Sequence, residues 1–122
     1  MMRLFKHREV KEAIAFALAG GQALHVWHPS EEWRRRAPIA FRGPGPWAHL
    51  LDQDLKRLVQ TAKRLGVKVI KVGREGTDHQ HIDLCAGPLC RAFLEIEPQP
   101  EERKRRGATK QRADAGGGPQ ER

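Results

Sequence analysis

The stretch GTDHQHIDLC, residues 76–85, sets His79, His81 and Asp83 two positions apart. On an extended chain such residues share one side, while Ile82 and Leu84 turn to the other. Two imidazoles and a carboxylate on one side can share a divalent metal, Zn, Mn, Fe or Mg. They can equally serve as a general base with its orienting acid. On a helix, His79 and Asp83 would be neighbours and His81 would face away. The glycine-rich approach and the surrounding elements favour the extended form. The plainer alternative is a solvated polar loop in which one imidazole caps a backbone group. His28 and His49 are the further candidates. The expected catalytic set is His49, His81 and Asp83, and the expected metal set is His28, His79, His81 and Asp83. A zinc site from His79, His81, Cys85 and Cys90 is a weaker option, because four residues, Pro88 among them, separate the thiols. Otherwise the cysteines pack as small apolar groups.

A second stretch, EEWRRRAPIAFRGPGPWAH (residues 31–49), interleaves Trp33, Phe41 and Trp47 with Arg34, Arg35, Arg36 and Arg42. Guanidinium forks suit phosphates and aromatic faces stack on bases, so Arg34, Arg35, Arg36, Arg42, Trp33 and Trp47 are the expected phosphate or nucleic-acid contacts. The competing reading is a loop that its two tryptophans pin back onto the core.

The elements that must position these groups follow from periodicity. REVKEAIAFALAGG reads as an amphipathic helix closed by Gly20 and Gly21. QALHVW alternates as a strand ending before Pro29. Ser30, Glu31 and Glu32 can start one helical turn. The stripe Leu51, Leu55, Leu58, Ala62 and Leu65 predicts a helix from about Trp47 to Leu65, with Gly66 beyond its end and His49 in its first turn. VKVIKVG predicts a largely covered strand. HIDLC is a brief extended segment, and AGPLCRAFLEI is helical with Pro88 near its first turn. Strand, helix, strand in the middle of the chain implies a βαβ unit and parallel pairing. The expected fold is therefore α/β, a small and mainly parallel open sheet. An N-terminal helix spans 1–21, the core domain 22–97 and a disordered basic tail 98–122. His28 and His49 would meet the HxHxD segment at one edge of the sheet.

The 122 residues allow one domain, which stands to gain from pairing as a homodimer. Net charge is +8, with +5 over Met1–Glu97 (16 basic, 11 acidic) and +3 over Pro98–Arg122 (7 basic, 4 acidic). A positive field on the domain itself draws polyanions, nucleic acid or nucleotide first among them. Arginine-rich composition in a chain without Asn or Tyr also fits a GC-rich coding sequence, which dilutes that argument. Two cysteines form no disulfide framework and point to a reducing, cytoplasmic setting. Glu9 and Glu12 argue against reading the N-terminus as a secretion signal, and no stretch is apolar for long enough to span a membrane.

WAHLL, LKRLVQTAKRLGV, HIDL and CRA, taken together, resemble a small uncharacterised family of bacteria and their phages, domain of unknown function 4031. The resemblance runs from about Ala23 to Ile96 and is carried by Trp47, His49, Leu50, the helix pattern ending at Gly66, and His81, Asp83 and Leu84. It implies strand, loop, helix, strand, a His-x-Asp segment and a final helix. It brings no activity with it. Its members often carry acidic residues just after the first strand, where this chain has Trp27 and His28. The expected function is a protein that binds a phosphate-bearing ligand, with metal-dependent hydrolysis or nucleolysis as its enzymatic form. The alternative is a non-enzymatic nucleic-acid-binding or regulatory module.

Overall fold

A computed structural model of the chain describes residues 2–96. The expected tail over 98–122 lies outside the described residues. Five strands form one sheet in the order β1-β2-β3-β5-β4. They are β1 (Met2–Phe5), β2 (Gln22–Trp27), β3 (Trp47–Leu51), β4 (Val72–Gly73) and β5 (His81–Cys85). The helices are α1 (Val10–Leu18), α2 (Glu31–Arg36), α3 (Leu55–Arg64) and α4 (Ala86–Phe93). Two 3-10 turns, His7–Glu9 and Ile39–Phe41, complete the list of elements.

The sheet is mixed rather than mainly parallel. Among the described strands only the β1–β2 pair is parallel, besides an isolated parallel bridge from Met2 to Ile96; β2–β3, β3–β5 and β4–β5 are antiparallel. The parallel pair spans α1, so the βαβ unit sits at the N-terminus and not in the middle of the chain. β2 and β4 are not neighbours.

Two expectations fail for local reasons. The helix predicted from Trp47 is a strand, a turn and a shorter helix. LDQDL contains the break: the Asp52 side chain accepts from the Asp54 amide, and Asp54 then caps α3 by accepting from the Arg57 amide at 3.0 Å. Short acidic side chains bond their own backbone in this way at turns and helix starts. The apolar stripe is continuous only because Leu51, ending β3, falls in phase with Leu55. VKVIKVG pairs only through Val72 and Gly73. Val67 and Ile70 pack on the core while Val69 is 74% exposed, a three-residue step that period-two pairing cannot supply.

The two faces of the sheet differ. Leu24, Ala48, Leu50, Ile82 and Leu84 point to one face, where Leu58 and Ala62 of α3, Leu65 at its C-cap, and Leu89 and Ala92 of α4 close over them. This is the main core. On the other face, Ala13 and Ala17 of α1 cover Ala23, Leu51 and Phe5. α1 has nine residues and reaches only that end. The rest of the second face carries His25, Trp27, Trp47, His49, His81 and Asp83, and among the described residues neither core cluster places a helix over it. No helix among the described residues is long and apolar enough to cross a membrane.

Candidate functional site

Strand register assembles the site. His25 lies opposite His49, and His49 lies opposite Asp83 on the next strand. Directly opposed residues of an antiparallel pair stand close enough for their side chains to meet. Two residues before Asp83, His81 rises on the same face. The result is a polar row across the three central strands, β2, β3 and β5.

Three donor atoms converge in that row. His49 Nε2 lies 3.2 Å from Asp83 Oδ1, and His81 Nε2 lies 3.4 Å from the same oxygen. One ligand atom from each residue falls within 4.8 Å of the other two. The imidazole rings stand 4.0 Å apart between centroids. His81 is held from behind: its Nδ1 lies 2.7 Å from the His79 carbonyl oxygen. A carbonyl only accepts, so Nδ1 carries the proton and Nε2 is the nitrogen offered to Asp83. Gly73 of β4 backs the ring, and a methyl group there would come within 2.7 Å of His81 Cε1. Trp27 meets His49 edge-on at 4.5 Å.

The charge balance follows from these contacts. Burial works against the Asp83 carboxylate, but hydrogen bonds from His49 and His81 outweigh it and hold the carboxyl well below its usual range. Burial also opposes protonation of His81; its bonds to Asp83 and to the His79 carbonyl reverse the sign and raise its pKa. For His49 burial wins, and its pKa is lowered despite Asp83. Of the two imidazoles beside the Asp83 carboxylate, His81 holds its proton more tightly than an ordinary imidazole and His49 less tightly. A cation in place of the Nε2 protons would meet two imidazole nitrogens and a carboxylate oxygen. Donors on an ion with bonds of 2.0–2.1 Å stand about 3.3 Å apart in tetrahedral geometry, close to the two spacings here.

The open side of the cluster faces a pocket of about 200 Å³, walled by Trp27, Pro38, Phe41 and Trp47 and floored by His49 and Asp83. Trp47 donates its indole N–H to the Phe41 carbonyl at 3.0 Å, which fixes the wall.

His49, His81 and Asp83 thus meet as expected, although on a sheet face and not at its edge, and with His49 on a strand rather than a helix. His28 lies beyond β2, exposed and outside the group. The His79 ring also stays outside, 2.7 Å from Asp78, because β5 begins only at His81; its backbone carbonyl alone serves the site. Cys85 and Cys90 are free thiols outside the group, and burial, reinforced by the Asp83 charge, raises the pKa of Cys85. The arginine loop is largely committed to itself. Arg34 donates to the carbonyls of Gly43 and Gly45, and Arg42 donates to that of Ala37. Arg36 pairs with Glu32 and lies over the Trp33 ring. Arg35 is exposed and has no charged partner among the described residues.

His25 is the residue that sequence reasoning passed over. It is 6% exposed, its Nε2 donates to the His7 carbonyl at 2.8 Å, and its Nδ1 is a buried acceptor with no partner. The signal was present, since alternation with Leu24 and Val26 puts His25 on the face away from the main core. No protein-family model matches this sequence, and no curated protein and no solved structure matches it either.

Proposed function

We propose that this protein is a metal-dependent hydrolase of phosphate-bearing ligands, with a divalent ion held by His49 Nε2, His81 Nε2 and Asp83 Oδ1. The observation that carries the reading is the convergence of those three atoms within 4.8 Å beside an open pocket. Three protein ligands leave coordination positions free, the pattern of catalytic rather than structural sites. A metal there supplies Lewis acidity and acidifies a water at neutral pH. The chain's own residues do the rest. The His79 carbonyl fixes the His81 tautomer, as partners behind metal-bound imidazoles commonly do. Trp27, Phe41 and Trp47 offer faces and edges to a flat ring such as a nucleobase. The net charge of +5 over Met1–Glu97 attracts phosphates. Of the residues of the proposed family resemblance, Trp47 and His49 lie side by side with His81 and Asp83 on one face of β3 and β5, which fits one site, while Leu50 and Leu84 face the main core.

The test is zinc or manganese uptake by the full chain against a chromogenic chelator, followed by turnover of bis(p-nitrophenyl) phosphate. One equivalent of tightly held metal and metal-dependent turnover are expected, and both should vanish in His49→Ala. Failure to take up metal would leave a binding module with a structural His–Asp cluster.

A further inference from the structure

Asp83 borders a second and larger hollow. A groove of about 600 Å³ runs along the outer edge of β5, between the Pro38–Phe41 turn and the segment Gly66–Lys71. It exists because β4 is so short: β5 is paired on that side only at His81 and Ile82, so Asp83, Leu84 and Cys85 have no strand beside them. Its floor is apolar, with Val67, Val69, Leu84 and Pro88. Its rim is basic. Lys68, Lys71 and Arg91 all line it, and none of the three has an acidic partner within salt-bridge distance among the described residues. Arg91 is fixed in place, donating from Nε to the Leu65 carbonyl at 2.6 Å. Gly66 and Gly87 frame its guanidinium, since a methyl at either would crowd it, at 2.5 and 3.3 Å. α4 starts at Ala86 on the groove wall, and no side chain caps it. Pro38, Phe41 and Asp83 line both this groove and the aromatic pocket, so the two hollows adjoin at these residues.

We propose that this groove, and not the arginine loop, holds the phosphate end of an organic phosphate whose apolar or flat body lies along β5. This rests on the hydrolase reading for its meaning as a substrate site. The phosphate at Lys68, Lys71 and Arg91 would anchor the ligand and stay intact, and the bond to be cleaved would be a second phosphoester lying at Asp83, with water adding to its phosphorus and the alcohol leaving. The chemistry favours this placement. Ammonium groups without internal partners, here Lys68 and Lys71, offer charge-assisted bonds to phosphate oxygens, and Arg91 keeps both terminal nitrogens after its Nε bond, while Arg34 gives both of its terminal nitrogens to carbonyls. An apolar floor beside a few convergent cations is also the usual make-up of a small-molecule site.

The experiment is an NMR titration of the full chain, isotopically labelled, with phenyl phosphate and separately with benzyl alcohol, in the presence of a chelator. Phenyl phosphate should shift the backbone amides of Lys68, Lys71 and Gly87 and bind about tenfold tighter than benzyl alcohol. Lys68→Glu with Lys71→Glu, both exposed and therefore compatible with folding, should remove that tenfold advantage. The double variant should leave benzyl alcohol affinity unchanged. Equal affinity for the two compounds would overturn the proposal, as would shifts confined to residues 34–42 or an unaltered double variant. Zinc uptake on a chelator-free portion of the same preparation reads the metal centre separately. Zinc uptake without phosphate preference removes the groove and keeps the centre, whereas phosphate preference without zinc uptake keeps the groove as an anion site and removes the hydrolase.

Discussion

Two polar clusters interrupt the apolar packing, and they are built on opposite principles. Around Asp52, fully buried, every group has its complement. Arg57 donates to both carboxylate oxygens at 2.7 and 2.8 Å, Gln22 donates to Asp52 and approaches Thr61, and the Asp54 amide completes the set. The Gln80 side chain adds a bond to the Asp52 carbonyl. Such a network holds the β3–α3 turn against β2, and nothing in it is left over for a ligand. Around Asp83 the groups are shared and open to solvent: both imidazoles meet one oxygen of an exposed carboxylate. Two imidazole nitrogens and a carboxylate oxygen face one another, with only protons between them, and the adjacent His25 keeps an unused buried acceptor. Two imidazoles and a carboxylate that share their bonds at an accessible oxygen, with perturbed titration, are a candidate for something that arrives from outside. The contrast separates a cluster that maintains the fold from one that is available for chemistry.

The largest effect expected from breaking this contrast is on folding. Asp52→Ala orphans the donors of Gln22 and Arg57, and should cost about 3 kcal/mol, discounted because Arg57 is partly exposed. Urea denaturation reads it, and an unchanged midpoint would show that the Asp52 network does not hold the turn. Next, His81→Ala should lower zinc affinity more than about a hundredfold, while the metal-free midpoint moves by less than about 1 kcal/mol. A large loss of metal-free stability with unchanged zinc affinity would reverse the roles of the two clusters. Smaller again, Gly73→Ala removes no ligand but drives a methyl into the His81 ring. A roughly tenfold loss of zinc affinity is expected, at the low end for groups that only orient a ligand. Wild-type affinity would mean that the ring position is not critical.

The smallest effect is on pH dependence in the metal-free protein. His81 binds its proton more tightly when folded, so its contribution is complete below the ordinary imidazole value of 6.5 and fades as pH rises through the raised folded value. His49 has the opposite sign: its lowered pKa costs stability as pH falls below 6.5. Asp83 contributes above the ordinary carboxyl range and loses that contribution only as pH falls through its lowered value. Histidine proton shifts followed by NMR should therefore show one ring titrating above 6.5 and disappearing in His81→Ala, and another titrating below it and disappearing in His49→Ala. Coincident titrations at the ordinary value would contradict the shared hydrogen bonds to Asp83.

Several parts of this architecture were legible from residue order. α1, β2, α2 and α4 follow from spacing and end signals, and β5 follows from the HIDLC alternation, which also puts His81 and Asp83 on one side. The misreadings have one source, the ambiguity of apolar spacing over short windows. Leu51 extends the stripe of α3 backwards into β3, and the capping chemistry of Asp52 and Asp54, which should have outweighed it, is a signal of two residues. The strand Met2–Phe5 is too short to stand out beside the helix that follows, so the one parallel pair was assigned to the wrong part of the chain.

By itself, the sequence determined that His81 and Asp83 must share a side, because period-two alternation is a property of the extended backbone and needs no partner. It equally determined that a basic domain would carry them. Only the tertiary structure decided that His49 would join them, through a β3–β5 register that a one-residue slip would have sent to the main core. It also decided that the cluster stays open, because α1 covers one end of the sheet face and stops short of the other. Register and coverage depend on contacts between residues distant along the chain, and local spacing carries no record of them.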